Sequence, residues 1–423
     1  MFKHLASTII LMAALSTQQA SAALPKIVSV TDTEVSLLFD GELKPRNIQL
    51  SQLSAIDQEA IATWKKENQN TPLPSQPKPK PTSKREPEPI VYNPKASYGE
   101  RQRTLRRIYA TIPANFDDDW PKLVKSPNDI QVSLVEENEE ERKYVYHSDH
   151  YEFICDVPLK PHLVQRFAVL FEGTREFCRQ LPISTKKAHL QGQTHRNKIL
   201  LFESKQTYVA NGAPPSSAGV YMPGRDIVMV PLTSIGVRKV GSSYSVDYDG
   251  SNKTLPHELV HQLTDSFYYQ HGARGWFSEG LAEYVAVTPY RSGKFILGKT
   301  VNAAEDYAVK FGRKGNGGRA LGEEINAPSL KNFMLQPYSS FAGSNANFNY
   351  GLGLLITTYF FEMEGKGDRV AITAFLKALR EGKQGEEALA ALRQGRTFDE
   401  LAKDISKGWK SKGVKIHFAS SDE

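Results

Sequence analysis

The residues best suited to chemistry in this 423-residue chain are two histidines that flank a glutamate, at residues 257–261, where the sequence reads HELVH. Positions four apart on an α-helix lie one above the other, so His257 and His261 can both turn a ring nitrogen toward one metal ion. Glu258 points to a neighbouring face and can reach a water on that ion without binding the ion itself. The spacing therefore predicts a zinc site with Glu258 as general base. A chance match, or two histidines packed in a core, is the alternative interpretation.

A second acidic segment follows at residues 276–284, where WFSEGLAEY predicts another helix with carboxylates one turn apart. A catalytic zinc ion usually has three protein ligands and keeps its fourth position for water. We predict Glu279 as the third ligand and Glu283 as the carboxylate that accepts a ring N–H from a ligand histidine. Asp265, one turn beyond His261, is a competing candidate for that orienting role. A solvated surface carboxylate is the alternative interpretation of Glu283.

The flanking residues predict where the first of these helices begins. A turn at residues 250–252 precedes Thr254, which is predicted as the N-cap. Pro256 suits a first helical turn, whose N–H groups have no partner within the helix. The helix is then expected to bury its apolar side chains.

Together the two segments resemble the gluzincin zinc metallopeptidases, the group that holds thermolysin and the aminopeptidase N family. The shared pattern is HExxH followed by a glutamate that opens an E-G-x-A-x-Y stretch, here residues 279–284. The direct likeness covers residues 257–284, and the flanking pattern extends it to most of the chain after about residue 128. The resemblance implies peptide-bond hydrolysis with His257, His261 and Glu279 on zinc and Glu258 as general base.

Tyr350 is the candidate donor to the oxyanion of the tetrahedral intermediate. Members of the aminopeptidase-like branch carry a tyrosine downstream of the glutamate ligand and just before an apolar helix, and Tyr350 in residues 347–353 matches that place. A donor of this kind typically contributes about a hundred- to a thousandfold in rate. A tyrosine that only packs at a helix start is the alternative interpretation.

One departure from the aminopeptidases concerns substrate specificity. Those enzymes carry a Gly-x-Met-Glu-Asn strand whose glutamate holds the free amine of the substrate, whereas residues 218–224 here read AGVYMPG and contain no carboxylate. We therefore expect an endopeptidase rather than an aminopeptidase. The same stretch is expected to form an edge strand that holds an extended peptide by main-chain hydrogen bonds.

The N-terminal residues predict export. Residues 1–22 combine a short basic start, an apolar run and a small-x-small ending, which is typical of a cleavable signal peptide. No cysteine follows the apolar run and no later apolar stretch reaches the roughly twenty residues of a membrane span, so a secreted or periplasmic protein is expected. In such a compartment Cys155 and Cys178 either form one disulfide or are two buried thiols.

Charge and composition limit the partners. The formal net charge is +6 with a pI near 8.9, and part of it lies in the signal peptide and in a basic proline-rich stretch. This mild excess is not the footprint of a nucleic-acid-binding protein. A peptide or protein substrate is the partner that the resemblance to the peptidases implies.

The chain is expected to contain two domains. Residues 71–98 are rich in proline and lysine and predict an extended linker. Residues 23–70 predict two strands, near 35–39 and 48–50, before a short helix, and resemble the small SH3-like Sla homology module through LSQLSxxDQ. We expect this module either to bind the cell envelope or to act as a spacer.

Residues 99–423 are expected to form an α+β peptidase domain, with a mixed sheet lobe over a helical lobe and the metal in the cleft between them. A hairpin is predicted around the acidic run 136–141, with further strands at 151–155, 198–203 and 225–230. Residues 163–178 carry apolar side chains at helical spacing, and residues 352–409 are mostly helical.

Two rival functions remain. The first is a non-catalytic envelope-binding protein that retains a peptidase fold, in which case the intact Glu258 would have no chemical purpose. The second is a zinc amidase that acts on cell-wall peptides, which the same site would serve.

Overall fold

The computed structural model describes residues 26–38, 46–53, 55–67, 92–93, 95–190, 195–246, 253–268, 274–310 and 318–421. The predicted signal peptide and residues 71–91 and 94 of the predicted linker lie outside these residues. The chain divides into two compact units, residues 1–88 and 89–423, which are described separately. Within the described residues, no helix has the length and apolar character needed to cross a membrane.

The first unit is a small sheet with one helix. Strands β1 (Lys26–Val30), β2 (Glu34–Leu38) and β3 (Arg46–Gln49) pair antiparallel in that order, and helix α1 covers Ala55–Glu67. Its core contains Val35, Leu37, Leu53 and Ile61. The sequence predicted β2, β3 and the helix, whereas β1 was missed.

The first part of the second unit contains its largest sheet. Its first elements, in chain order, are α2 (Tyr98–Thr111), β4 (Leu123–Lys125), β5 (Ser133–Asn138), β6 (Lys143–His147), β7 (Tyr151–Cys155), α3 (Pro161–Gln180), β8 (Asn197–Phe202), α4 (Lys205–Ala210), β9 (Val220–Met222), β10 (Ile227–Pro231), β11 (Val237–Val240) and β12 (Ser243–Val246). Six strands form one mixed sheet in the order β5-β6-β7-β8-β10-β9. The neighbours β7, β8 and β10 run parallel, and β9 lies antiparallel at the edge beside β10. Helix α3 connects β7 to β8 and buries its apolar face, as its helical spacing predicted.

Helices dominate the rest of the unit, which is therefore α+β as expected. Its elements are α5 (Thr254–Leu263), α6 (Arg274–Val287), β13 (Tyr290–Arg291), β14 (Lys294–Ile296), α7 (Thr300–Val309), β15 (Glu324–Ala327), α8 (Leu330–Leu335), α9 (Tyr338–Phe341), α10 (Ala346–Glu362), α11 (Val370–Arg380), α12 (Gly385–Arg393), α13 (Phe398–Lys410) and β16 (Lys415–Phe418). The short strands form small separate pairings: β11 with β12, β14 with β13 and β4, and β15 with β16.

Helix α6 lies at the centre of this helical part. Every residue from 275 to 288 is buried, and so is every residue from 351 to 361 of its main packing partner α10. A helix that is apolar on all sides belongs inside a core, so polar side chains on α6 must be paired there. Glu279 and Glu283 are two such side chains, each only 2% exposed.

Three local expectations need correction. Thr254 is the first residue of α5 rather than its N-cap, because Lys253 occupies the cap position. The side chain of Lys253 makes no capping hydrogen bond. Tyr350 lies inside α10, which begins at Ala346 rather than after the tyrosine. Strand β5 runs on into the acidic stretch, because its side chains are almost all exposed and carboxylates are tolerated there.

Cys155 and Cys178 are both buried and do not form a disulfide. Burial raises the pKa of each thiol to about 12, so neither is a reactive thiolate at neutral pH. The alternative of two buried thiols is the one that the structure supports.

Candidate metal centre

Helices α5 and α6 bring together the three predicted ligands. The Nε2 atoms of His257 and His261 lie 3.1 Å apart, and each is 3.1 Å from Oε2 of Glu279. Within the described residues, these three form a cluster that could hold a metal ion. The histidines lie one turn apart on α5, and Glu279 reaches them from the buried face of α6.

The triangle of donor atoms has the dimensions of a zinc site. Zinc bonds to nitrogen and oxygen of about 2.0–2.1 Å place tetrahedral ligand atoms about 3.3 Å apart. Hydrogen bonding alone explains the triangle poorly. If Nε2 of His257 carries a proton, Nε2 of His261 presents either a second proton that faces it at 3.1 Å or a lone pair that faces the carboxylate oxygen of Glu279. A cation between the three atoms removes that conflict, so the donor set fits zinc.

Carboxylates control the charge of His257. Its Nδ1 lies 3.4 Å from Oε1 of Glu283, the contact expected of an orienting carboxylate. Burial opposes a charge on the ring, but the hydrogen bonds to Glu279 and Glu283 outweigh it and hold the pKa of His257 well above its usual value. A surrounding that favours a positive charge on the ring equally favours a bound cation.

Arg319 is the charged partner of Glu283. Its guanidinium forms an ion pair with the same carboxylate oxygen that faces His257. Burial works against ionisation of Glu283, but the hydrogen bond from His257 and the charge of Arg319 lower its pKa. The solvated interpretation of Glu283 is therefore wrong. The sequence did not predict Arg319, which lies 36 residues away from Glu283 and outside any motif.

Tyr338 fixes the other oxygen of the third ligand. Its hydroxyl donates a hydrogen bond of 2.9 Å to Oε1 of Glu279, while Oε2 faces the two histidines. Burial opposes ionisation of Glu279, but His261 and His257 hold its pKa well below the usual range. The carboxylate is therefore anionic and directs one oxygen toward the metal position. The sequence did not predict Tyr338 either.

Strand β9 positions the predicted general base. The backbone N–H of Tyr221 donates a hydrogen bond of 2.7 Å to Oε2 of Glu258. The strand can approach α5 this closely because residue 219 is glycine: a Cβ there would lie 3.0 Å from Cγ2 of Thr254 and 3.4 Å from Cγ of Glu258. The edge strand β9 therefore holds the side chain of Glu258 in place by a direct main-chain hydrogen bond.

Tyr350 lies beside the ligands. Its ring centroid is 6.1 Å from that of His257, and the guanidinium of Arg319 lies over its face at 5.0 Å. Burial, followed by the charge of Glu279, raises the pKa of Tyr350, so its hydroxyl keeps its proton and can donate it in a hydrogen bond.

Asp265, the competing candidate for orienting a histidine, lies elsewhere. Its Oδ2 accepts a hydrogen bond from Ser184 and pairs with Arg380 at 3.3 Å. Its side chain therefore joins α5 to the end of α11, and the histidine contact is made by Glu283 instead.

No protein-family model matches the chain, and no curated protein matches it significantly.

Proposed function

We propose that this chain is a secreted zinc-dependent peptidase of the gluzincin type. The observation that carries the proposal is the 3.1 Å triangle of His257, His261 and Glu279, with Glu258 on the same helix and held by strand β9. This arrangement combines a cation site with an adjacent carboxylate that does not belong to the ligand set.

Zinc in this site would acidify a water molecule and polarise the carbonyl of a peptide bond. Glu258 then takes the proton from the attacking water and passes it to the leaving amine. The hydroxyl of Tyr350 donates a hydrogen bond to the developing oxyanion, since the raised pKa of Tyr350 keeps the hydroxyl protonated at neutral pH. Glu283 and Tyr338 hold the ligands His257 and Glu279 in orientation.

Endopeptidase activity is the favoured form. Strand β9 is an edge strand next to Glu258, so its outer side can pair with an extended peptide. The nearest carboxylate along the chain, Asp226, forms an ion pair with Lys187 and accepts a hydrogen bond of 3.0 Å from the Tyr221 hydroxyl. A carboxylate so engaged is poorly placed to hold the free amine that an aminopeptidase recognises. We expect cleavage of peptides with blocked N-termini.

The remaining expectations belong to the same proposal. The six-stranded sheet and the helices around α6 would correspond to the two lobes of a gluzincin, with the metal held by α5 and α6. The three strands and helix of the first unit would be an SH3-like module that contacts the cell envelope. Export would follow from the signal peptide predicted at residues 1–22.

The test replaces the base without touching the ligands. Glu258→Gln should retain about one equivalent of zinc and lose hydrolysis of casein and of an internally quenched, N-terminally blocked peptide. Glu387→Gln, at an exposed position on α12, is the matched control and should behave like the unchanged protein. Full hydrolysis by Glu258→Gln, or a purified protein that binds no zinc, would refute the proposal.

A further inference from the structure

A groove is lined in part by α9, the helix that carries Tyr338. It has a volume of about 910 Å³ and is bounded by β15, α8 and the start of α10. Phe348 supplies its exposed aromatic surface and Phe333 is buried beneath the lining, whereas the polar residues of the groove are asparagine, glutamine and serine. Among the described residues that line the groove, none is charged, although charged residues make up 24% of the whole chain.

Helices α9 and α10 contribute residues both to the groove and to the metal centre. Ser339 and Ser340 line the groove and directly follow Tyr338, which bonds to the ligand Glu279. On α10, Asn349 lines the groove and directly precedes Tyr350. The groove lining and the metal centre therefore use neighbouring residues of α9 and of α10.

The lining selects the chemistry of a ligand. A charged group would lose water in the groove without meeting an opposite charge, and an apolar group would strip water from carboxamides and hydroxyls that it cannot pair. Carboxamides both donate and accept, so they match neutral groups that also do both, such as the hydroxyls of a sugar. The half-buried ring of Phe348 offers a flat apolar surface for the carbon face of such a ring. The volume suits a ligand of several sugar units.

We propose that this groove binds a neutral oligosaccharide, so that the peptides cleaved at the metal centre carry a glycan chain. The inference rests on the proposed peptidase for the cleavage step, but sugar binding by the groove does not depend on it. Sugar binding by the groove would favour glycan-bearing peptides of the cell wall as substrates over proteins in general.

The binding test uses the full-length Glu258→Gln protein, so that hydrolysis cannot disturb it. Calorimetric titration with N,N′,N″-triacetylchitotriose, a neutral trisaccharide called chitotriose below, should show saturable binding. Asn332→Ala removes one exposed carboxamide of the groove and should weaken binding by about threefold or more, as expected for a lost hydrogen bond. Ser340→Trp should abolish binding by filling the groove. Asn302→Ala, at an exposed position on α7, is the matched control and should bind like the parent.

Comparison ligands make the inference falsifiable. Trigalacturonate, which is anionic, and N-acetyl-tetraalanine amide, which is a neutral peptide, should bind at least about tenfold more weakly than chitotriose. Absence of chitotriose binding, binding that both groove variants leave unchanged, or equal binding of the peptide would overturn the proposal. Sugar binding in a protein that hydrolyses no peptide would leave the groove assignment standing and refute only the peptidase. Hydrolysis of peptides without sugar binding would refute the groove assignment and leave the proposed peptidase standing.

Discussion

The carboxylate of Glu279 has two different tasks at its two oxygens. Oε2 faces the histidines, and Oε1 accepts the hydroxyl of Tyr338 at 2.9 Å. A carboxylate whose second oxygen is held in this way presents one oxygen to a metal ion and cannot rotate freely. Tyr338 would therefore act on a bound metal through its ligand, although the residue as a whole is 49% exposed.

Replacing Tyr338 by phenylalanine should lower zinc affinity by about 10- to 100-fold, the range typical of lost partners of metal ligands. Competition with a chromophoric chelator measures this directly and does not depend on activity. Tyr350→Phe is the informative comparison, because that hydroxyl is assigned to the oxyanion: it should keep the zinc affinity and lower kcat by about 100-fold. Equal zinc affinities in Tyr338→Phe and the parent protein would contradict the role given to Tyr338.

At the scale of elements, the sequence predicted the residues that repeat with helical spacing and missed those that meet only through the fold. His257, His261 and Glu279 lie on two helices whose patterns are readable from the chain. Tyr338 stands 59 positions from Glu279, on a helix of four residues that no periodicity reveals. A contact between such distant positions depends on how the elements pack, which local pattern does not encode.

The burial of helix α6 explains the glycine of the E-G-x-A-x-Y stretch. A Cβ at Gly280 would lie 2.6 Å from the carbonyl oxygen of Gly353, so α6 and α10 can approach only without side chains there. On helix propensity alone, alanine would be better than glycine by about 1 kcal/mol. The close approach reverses that preference, because overpacking a core typically costs about 1–3 kcal/mol.

Gly280→Ala should therefore destabilise the protein, with a lower urea midpoint and an unchanged m-value. Gly298→Ala is the matched control, because a Cβ there would meet no atom within 4 Å. It should leave the midpoint nearly unchanged. A Gly280→Ala protein as stable as the parent would show that the two helices can separate without cost.

At the scale of the whole molecule, the candidate chemistry lies entirely in one of the two compact units. The predicted ligands, the base and both tyrosines belong to residues 89–423, which also contain the large continuous core. The core described for the first unit consists of four buried apolar side chains, which is little for independent stability. Its sequence offers no group that the proposed reaction requires.

Deleting residues 23–70 should therefore leave both zinc content and kcat/KM for a short quenched peptide unchanged. The small substrate matters in this experiment, because a module that binds the envelope would affect only targets anchored there. Activity on whole envelope preparations should fall if the module delivers the enzyme to them, and it should not change if the module is only a spacer. Suppose that a truncated protein is folded and binds zinc but no longer hydrolyses the small peptide. The first unit would then contribute to catalysis, and the chemistry would not lie entirely in residues 89–423.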